Sequence, residues 1–445
     1  MDSFFRETMY WVGLLLDQAM VTSWFRLVRM FPFFVQVELL LNVFVVLGVL
    51  TWWIRKNYGR KRVPSSFQPG VSCIVTCYGE GKDVILTIRS LAMQLYNGPI
   101  EIIPVVDGSD KNRTTWEAVL SQLDWVKKRP HRFLLPVSKP QRGGRVSSLN
   151  TGLHRARYDI IMVFDGDTSL TNDTVRLCAE HFYRPNVVAV SGNLRVRNRR
   201  VSMATRMQGL EYNIGIGLGR TGLAEWGVIN NISGAFGCFR KDLLLHIGGW
   251  DTGTAEDLDL TTRIKGYFGR YPHLRIEFEP HAIGFTDGPT SFGQLLKQRD
   301  RWDGDLTYLY LRKYRWSFHP RILGWKNFFL YLLVGLVFQI AIPFLIWIYY
   351  IRMFALYPVS YVVAVSVVVY LGYLALSVIL WLFYMIFVSR FRAEDVRSLI
   401  LLPWQPVYSM ALRVMMVPFT LKSFFFRSHL DSSMAPYWVL KKGKY

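Results

Sequence analysis

Long apolar runs lie on both sides of a central stretch in which apolar and polar positions alternate. Residues 31–54 carry a single charged side chain, Glu38, whereas residues 327–351 and 353–389 carry none. A helix needs about 20 consecutive apolar residues to cross a bilayer. The pattern therefore predicts membrane helices before and after a central domain at residues 55–326.

The N-terminal segment, residues 1–30, is apolar but interrupted by Arg6, Asp17, Arg26 and Arg29. A charge at the centre of a bilayer costs about 2.5–3.5 kcal/mol on insertion scales. We therefore predict an amphipathic, interfacial segment rather than a span. The charges and the lack of a small-residue cleavage site do not fit a secretory signal peptide.

The C-terminal apolar region, residues 327–422, leaves the number of membrane crossings open. Residues 353–389 are too long for one upright helix, so they form either one long tilted span or two short ones. Residues 397–420 contain prolines and Arg413 and are predicted to be re-entrant or interfacial. A basic tail at residues 423–445 favours a cytoplasmic end.

The central domain follows a breaker-rich linker, and its apolar strand patterns alternate with helical ones. This alternation predicts an α/β domain with a mainly parallel, Rossmann-like sheet. In such sheets ligands bind outside the carboxyl ends of the strands, which is where Tyr78, Asp107 and Asp165 fall. Strands are predicted at residues 71–76, 100–106, 134–137 and 160–164, and a helix at 146–157.

The formal net charge of +21 indicates an anionic partner, either lipid head groups or a phosphate-bearing substrate. The basic residues are dispersed and no nucleic-acid-reading motif accompanies them, so nucleic acid is not predicted as a partner. Five cations at residues 55–62 follow the first span and predict that this side faces the cytoplasm. The four cysteines form no metal-binding pair and are predicted to be buried free thiols.

Carboxylates at two predicted strand ends are the first candidates for chemistry. Asp165 and Asp167 flank a glycine, and such a pair can hold a divalent cation that bridges two phosphates; a solvated loop is the alternative. Asp107 forms either a turn or a hydrogen bond to a base or ribose. Arg145 closes a basic glycine loop at residues 141–145, which suits a phosphate or a plain surface turn.

Two later clusters carry the remaining candidates. Glu256 and Asp257 begin a predicted helix, where acids are common because of the helix dipole. A carboxylate beside an acceptor hydroxyl would also serve as a general base. The segment 298–302 combines two cations, a carboxamide and an indole near the next apolar run. Such a segment could bind a diphosphate and stack on a sugar ring. Alternatively, it could anchor the chain at the membrane interface.

Taken in order, these segments resemble the processive, membrane-embedded family-2 glycosyltransferases, which are the synthases of cellulose, chitin, hyaluronan and poly-N-acetylglucosamine. The resemblance covers roughly residues 70–305. An ordered series of this kind is highly specific. The matching motifs are VTCYGEG (75–81), VVDGSD (105–110), FDGDTSL (164–170), SGAFGCFR (233–240), TAEDLDL (254–260) and QRDRW (298–302).

The resemblance implies a GT-A fold and an enzyme that polymerises a UDP-activated sugar at the cytoplasmic face of the inner membrane. It further implies inverting transfer, β-linkages, a Mg²⁺ or Mn²⁺ ion, and export of the growing polysaccharide through the protein's own channel. A small accessory membrane subunit or an export protein would be compatible with this scheme. The layout is closest to that of the poly-N-acetylglucosamine synthases.

Site roles are carried over by resemblance, position by position. Asp257 matches the general base and Glu256 the acid that supports it. The donor is expected to contact Thr76, Tyr78, Glu80, Asp107, Arg145, Asp165, Gln298, Arg299 and Arg301. The acceptor is expected to contact Gly234, Ala235, Phe236 and Trp302, and the metal ion Asp165 and Asp167.

Other readings stay open. The polymer could be of the hyaluronan, chitin or cellulose type. The enzyme could instead add one sugar to a lipid carrier, although the segment 298–302 argues against this. A transporter or receptor with a decayed transferase domain is disfavoured, because the acids are retained and the uncharged spans offer no ion relay. The family often has Lys at the position of Arg145, and the run Asp303–Asp305 is unaccounted for.

Overall fold

The computed structural model describes residues 2–21, 32–59, 63–251 and 255–426. Several sequence-based predictions concern positions outside the described residues. These positions are residues 22–31 with Arg26 and Arg29, the cations at 60–62, Thr254 of the TAEDLDL motif, and residues 427–445 of the predicted tail.

In the described part of the chain, nine strands form one sheet of order β3-β2-β1-β5-β8-β7-β9-β6, with β4 paired to β2. The parallel half contains β1 between β2 and β5, with β3 and β4 beyond β2. The other half is mixed, because β8 is antiparallel to both β5 and β7. The strands are β1 (Val71–Cys77), β2 (Ile100–Asp107), β3 (Arg132–Leu134), β4 (Val137–Lys139), β5 (Ile160–Asp165), β6 (Ser169–Leu170), β7 (Val187–Val196), β8 (Phe236–Arg240) and β9 (Arg275–Thr286).

The sheet confirms the predicted α/β class. β1 and β2 are buried along their whole length, as expected for strands covered by helices on both faces. The strand predicted at 134–137 is instead two short strands, β3 and β4, separated by Leu135 and Pro136. Proline lacks the N–H that a continuous strand would donate to its neighbour. All four cysteines are free and buried, as predicted.

Helices cover both faces of the sheet. Ile88 and Leu91 belong to the core on one face, and Leu149 and Leu153 to the core on the other. In chain order the helices are α1 (Asp2–Val21), α2 (Phe33–Ile54), α3 (Val84–Ala92), α4 (Arg113–Leu120), α5 (Leu123–Lys127), α6 (Gly144–Arg155), α7 (Thr174–His181), α8 (Met203–Tyr212), α9 (Thr221–Glu225), α10 (Lys241–His246), α11 (Glu256–Lys265), α12 (Phe292–Tyr308), α13 (Pro320–Leu323), α14 (Trp325–Tyr331), α15 (Ile342–Leu356), α16 (Val359–Phe383), α17 (Arg392–Asp395) and α18 (Gln405–Phe426). Turns of 3₁₀ helix (Gly81–Asp83, Val396–Trp404) and π helix (Arg55–Gly59, Asn213–Arg220, Leu309–Lys313, Leu332–Ala341, Tyr384–Val388) precede or continue several of them.

Among the described residues, four helices are long and apolar enough to cross a membrane. The apolar run 353–389 contributes mainly one of them, which begins after Pro358. Tyr357, directly before this proline, is extended, because proline disfavours helical backbone in the residue that precedes it. The four helices are Phe34–Gly59, Trp325–Leu356, Val359–Val388 and Arg392–Phe426.

The last of these helices contacts the α/β domain at both ends. At its start, the Asp395 carboxylate is paired with the Arg195 guanidinium. Near its end, Ser423 Oγ donates to the Gly304 carbonyl oxygen at 3.0 Å. The predicted re-entrant or interfacial course of this segment stays a prediction, because the helix is also long and apolar enough to cross a membrane. At the other end of the chain, α1 packs along α16, and its interfacial position stays a prediction.

Candidate active site

The carboxyl ends of β1 and β5 bring the first predicted residues together. Thr76 and Asp165 are register partners in these parallel strands. Asp165, Gly166 and Asp167 then turn away from the sheet beneath a cleft of about 290 Å³. The cleft is lined by Thr76, Cys77, Tyr78, Glu80, Asp107, Arg142, Arg145, Ser148, Asp165 and Asp167.

Asp107, at the end of β2, organises the glycine loop. One of its carboxylate oxygens accepts hydrogen bonds from Lys139 Nζ at 2.7 Å and from the Gly143 amide at 2.8 Å. The other oxygen accepts from the Gly144 amide at 2.7 Å. Asp107 is buried. Its hydrogen bonds from the Gly143 and Gly144 amides fix the start of α6. Its predicted contact with a base or ribose stays a prediction.

Tyr78 and Arg142 form one wall of the cleft. The Arg142 guanidinium lies 4.0 Å from the centre of the Tyr78 ring, within the range of a cation–π contact. Tyr78 is about half exposed. This wall presents an aromatic ring and a cation side by side, a combination suited to a nucleotide.

Acidic side chains crowd the floor of the cleft. Burial raises the pKa of Asp167 to about 6, and the neighbouring Asp165 carboxylate adds to the rise. The pKa of Glu80 is raised by burial and by the same two aspartates. A Cβ atom at Gly166 would lie only 2.9 Å from Glu80 Cδ, so the glycine permits this close approach. Glu80 Oε2 is buried without a hydrogen-bond partner among the described residues.

These carboxylates fit a divalent cation. A cation placed between converging carboxylates with raised pKa values stabilises their charged forms. Carboxylate oxygens are ligands that Mg²⁺ and Mn²⁺ accept. In the described part of the chain, no group of three His, Cys, Asp or Glu side chains could hold a metal ion unaided. Asp165 and Asp167 would therefore need further oxygen ligands from a bound phosphate.

Arg145 joins the two acidic clusters of the site. Its guanidinium donates to Thr76 Oγ1 at 3.0 Å and to the Asp165 carboxylate. On its other side it donates to Glu256 Oε1 at 2.5 Å and to the Gly234 carbonyl oxygen at 2.7 Å. Burial alone would lower its pKa, but Asp165 and Glu256 raise the pKa above the ordinary value.

Asp257 lies at the start of α11, beside this guanidinium. Its Oδ2 accepts from the Gly234 amide at 3.1 Å and from Asn231 Nδ2 at 3.2 Å. Its Oδ1 accepts from the Leu258 amide at 2.7 Å. The adjacent Glu256 is buried, and burial raises its pKa although Arg145 opposes the rise. A partly exposed carboxylate held in this way has the geometry of a positioned base.

The SGAFG segment contributes backbone rather than an aromatic side chain. A Cβ atom at Gly234 would lie 3.1 Å from Glu256 Oε1, so a glycine suits the contact between this loop and α11. Phe236 is fully buried, with its ring 5.1 Å from that of Phe164 in the sheet core. Its side chain belongs to the sheet core, and the predicted acceptor contact of this residue stays a prediction. Ala235 also packs against this core.

The QRDRW segment lies on α12, and two of its polar side chains bind residues of α8. Gln298 Oε1 accepts from Gln208 Nε2 at 2.7 Å. The Arg299 guanidinium pairs with the Glu211 carboxylate at 2.6 Å and lies 4.7 Å from the Trp302 ring centre. Arg301 has no side-chain hydrogen bond or ion pair to another described residue, so it is available to a ligand.

Sequence reasoning missed two residues that interact electrostatically with this segment or with Asp257. Burial raises the pKa of Tyr212 to about 12, and the Arg299 and Arg301 charges oppose the rise. Burial lowers the pKa of Arg220, and the Asp257 and Tyr212 side chains oppose that shift. The only sequence signal was the presence of Glu211, Tyr212 and Arg220 in a glycine-rich region. Their positions in the sequence did not indicate their distant partners.

A mixed, mainly parallel sheet with an Asp-Gly-Asp turn at its carboxyl edge, facing a second acidic pair, defines a glycosyltransferase of the GT-A type. The model of the family described as glycosyltransferase-like family 2 matches residues 69–304. The match covers more than half of the chain, which therefore belongs to that family and is a glycosyltransferase.

Several relatives of this chain carry the name of a polysaccharide synthase. The chain is 29% identical over 421 residues to a poly-beta-1,6-N-acetyl-D-glucosamine synthase of Staphylococcus epidermidis, covering 88% of this chain and 95% of the relative. It is 31% identical over 237 residues to the synthase of that name from Staphylococcus aureus, covering 52% of this chain and 53% of the relative.

A solved structure supports the fold. The mannosyltransferase PcManGT from Pyrobaculum calidifontis, determined with GDP-Man and Mn²⁺, superposes with a TM-score of 0.52 over 87% of this chain and 99% of its own. The two share 18% sequence identity, so the likeness concerns the fold alone. Together with the four apolar helices, these comparisons describe a membrane glycosyltransferase similar to poly-N-acetylglucosamine synthases.

Proposed function

We propose that this protein polymerises a UDP-activated N-acetylhexosamine into a β-linked polysaccharide at the cytoplasmic face of the inner membrane. The donor nucleotide would bind in the cleft above Asp165 and Asp167. The acceptor end of the growing chain would lie between Asp257 and the QRDRW helix. The polymer would leave between the membrane helices that follow.

One observation carries the proposal: Arg145 is bonded at once to Asp165, Glu256 and Gly234. This contact brings the donor side of the site, at the end of β5, next to the candidate base, at the start of α11. A transferase needs this proximity, because aligning two reactants removes much of the barrier to a bimolecular step.

The step is a single displacement. Asp257 accepts the proton of the acceptor hydroxyl as its oxygen forms a bond to the anomeric carbon of the donor sugar. The bond from that carbon to the diphosphate oxygen breaks, and UDP leaves with the electron pair. Attack from the face opposite the leaving group inverts the anomeric centre and gives a β-linkage from an α-linked donor.

Charge on the departing diphosphate must be neutralised. A Mg²⁺ or Mn²⁺ ion held by Asp165 and Asp167 would supply positive charge to the phosphates when bound. Arg301 would add a second cation from the QRDRW helix, since its guanidinium has no partner among the described residues. Fixed cations near developing negative charge lower the barrier without further reorganisation.

A polymerase must keep its product bound while it is extended. α12 packs along α18, and Trp302 lies on the same helix as the candidate phosphate ligands. An indole beside the acceptor would hold a sugar ring by stacking. This arrangement favours repeated addition over transfer of one sugar to a lipid carrier.

The test is a transfer assay on the full-length protein reconstituted in lipid nanodiscs. UDP-N-acetylglucosamine and Mn²⁺ should yield free UDP and a polymer that grows with time. Asp257→Asn should lower UDP release by about 10²- to 10⁴-fold, the usual contribution of a general base.

Asp242→Asn is the matched control, because Asp242 also accepts a bond from the next residue's amide, at 2.7 Å, at the start of an exposed helix. It should leave the rate unchanged. Absence of UDP release with every UDP-sugar, or an active Asp257→Asn variant, would refute the proposal. A product that stops at one sugar would show transfer to a lipid carrier instead.

A further inference from the structure

A second cavity, of about 270 Å³, lies between the α/β domain and the beginning of the last membrane segment. One wall is α8 and the loop before it, and the other is the segment from Glu394 to Leu401. It shares no lining residue with the donor cleft. Its lining residues are Arg199, Arg200, Arg206, Gly209, Leu210, Asn213, Glu394, Asp395, Arg397, Ser398, Ile400 and Leu401.

The cavity has an excess of unpaired positive charge. Arg200, Arg206 and Arg397 are exposed, and their side chains have no hydrogen bond or ion pair to another described residue. The two acids in the lining are already neutralised: Asp395 is paired with Arg195, and Glu394 with Arg199. Three guanidinium groups therefore converge without an anion.

The wall of the cavity is held rigidly. The buried Asp395 carboxylate accepts from Tyr384 Oη at 3.0 Å and from Ser389 Oγ at 2.7 Å, in addition to its arginine partners. It ties the end of α16 and the start of the last segment to the domain. The wall is therefore fixed before any ligand arrives, and the remaining ordering cost of binding falls on the three exposed arginine side chains.

Exposed apolar side chains lie in and beside the Glu394 to Leu401 wall of the cavity. Ile400 is 78% exposed, Leu399 50% and Val396 47%, all on the 3₁₀ turns that follow α17. These turns belong to a helix apolar enough for a membrane. A phosphate-binding set of arginines beside exposed aliphatic side chains matches an amphiphile with an anionic head group better than a free anion.

We propose that this cavity binds the phosphate of an anionic phospholipid at the membrane surface and thereby sets the position of α8. One face of α8 lines the cavity, and the opposite face contacts the QRDRW segment of the candidate active site. Arg206 and Leu210 line the cavity, while Gln208 bonds to Gln298 and Glu211 to Arg299. Lipid binding would hold α8 where it orients the QRDRW residues.

The binding test uses detergent-purified full-length protein titrated with phosphatidylglycerol, with its thermal unfolding midpoint as readout. Phosphatidylglycerol should raise the midpoint, because a ligand that binds the folded state stabilises it. The double variant Arg206→Gln/Arg397→Gln should weaken apparent binding by about tenfold or more. Phosphatidylcholine should have no comparable effect.

Arg315→Gln/Arg321→Gln is the matched control, since it removes the same charge from exposed arginines near another membrane helix. If it weakens binding equally, the site assignment fails. If glycerol phosphate or inorganic phosphate stabilises the protein as well as the lipid does, the cavity takes a free anion and the lipid assignment fails. Should the first double variant not fold, Arg200→Gln/Arg397→Gln replaces it under the same criteria.

The coupling to α8 rests on the proposed function and is tested separately. Nanodiscs of equal parts phosphatidylcholine and phosphatidylglycerol should support faster UDP release than phosphatidylcholine alone, and the Arg206→Gln/Arg397→Gln variant should lose this difference. Lipid binding without a rate response would overturn the coupling alone. Lipid binding in a protein that releases no UDP in any bilayer would leave the cavity assigned and refute the transferase.

Discussion

Arg145 shows how much of the site depends on the geometry of one side chain. Its guanidinium reaches Asp165, Glu256 and Gly234, which belong to three separate parts of the chain. A lysine ammonium at this position would keep the charge, but it is a compact point donor on a flexible stem. It could pair with the buried Glu256, but it would leave the partly exposed Asp165 carboxylate without this partner.

We expect the Arg145→Lys variant to lose mainly transfer activity and the Arg145→Gln variant to lose mainly stability. The lysine variant should fold and lose about tenfold or more in UDP release, because the two acidic clusters are no longer held in register. The glutamine variant should lose about 3–5 kcal/mol of stability, since Glu256 is left buried without a cation. Thermal unfolding and UDP release, measured on the same preparations, separate the two effects.

Arg155→Lys, on the exposed end of the same helix, is the control and should change neither quantity. A fully active Arg145→Gln variant would contradict the bridging role. So would an Arg145→Lys variant as unstable as the glutamine one, because that outcome would show that the geometry matters for folding rather than for transfer.

At the scale of elements, the contact between α12 and α18 explains residues that the motif left unassigned. The Asp300 carboxylate accepts from Lys422 Nζ at 2.5 Å. Four residues on, Gly304 lies against Ser423, whose side-chain atoms would be 3.4 Å from an added Cβ. Asp300 and Gly304 therefore serve helix packing, and the QRDRW helix is fixed against a membrane segment.

Substitutions at Gly304 should depend on size. Gly304→Ala should fold normally and be slightly more stable, because alanine fits in ordinary contact and favours a helix by about 1 kcal/mol. Gly304→Leu should cost about 1–3 kcal/mol by overpacking and should also slow transfer, because α12 carries Arg299 and Arg301. Melting temperature and UDP release are the measurements.

Gly293 provides the comparison, because it lies on the same helix with no heavy atom within 4 Å of an added Cβ. Gly293→Leu should leave transfer unchanged. If it slows transfer as much as Gly304→Leu does, the effect arises from the helix itself and not from its contact with α18.

Local patterns determined what could be predicted. The strands ending near Tyr78, Asp107 and Asp165 follow from continuous apolar runs, and their shared edge follows from parallel pairing. The burial of Phe236 could not be predicted from its motif, because successive side chains of a strand point to opposite faces and the motif does not show which face is covered.

Distant partners could not be predicted. The pair between Glu211 and Arg299 joins residues 88 positions apart, and neither residue's neighbours in the sequence indicate the other. The same holds for Arg195 and Asp395, 200 positions apart. Such pairs depend on how α8 and the last membrane segment pack, which no local periodicity encodes.

At the scale of the whole molecule, the α/β domain and the first membrane helix are joined by close backbone contacts. A Cβ atom at Gly48 would lie 2.3 Å from the Gly222 carbonyl oxygen, so α2 and α9 touch backbone to backbone. Trp226 Nε1 donates to the Phe44 carbonyl oxygen at 3.0 Å beside this contact. The first span is therefore packed directly against α9 and the residue that follows it.

The last membrane segment is joined to the first span by an ion pair. The Glu38 carboxylate, buried in α2, is paired with the Arg413 guanidinium on α18. Arg413 also lies 5.3 Å from the Phe338 ring centre. An unpaired charge in lipid costs about 2.5–3.5 kcal/mol, so this pair holds the last membrane segment against the first span only while both members are present.

Breaking and replacing this pair should therefore have opposite results. Glu38→Leu or Arg413→Leu alone should cost about 3–5 kcal/mol, because each leaves one charge uncompensated. The double variant should recover most of that loss, since an apolar pair of similar volume is often neutral in stability. Folded yield and melting temperature in nanodiscs measure the losses in the single variants and the recovery in the double variant. Arg352→Leu, at the far end of another membrane helix, is the control. Additive losses in the double variant would show that each residue acts through other partners and that the two segments are not joined here.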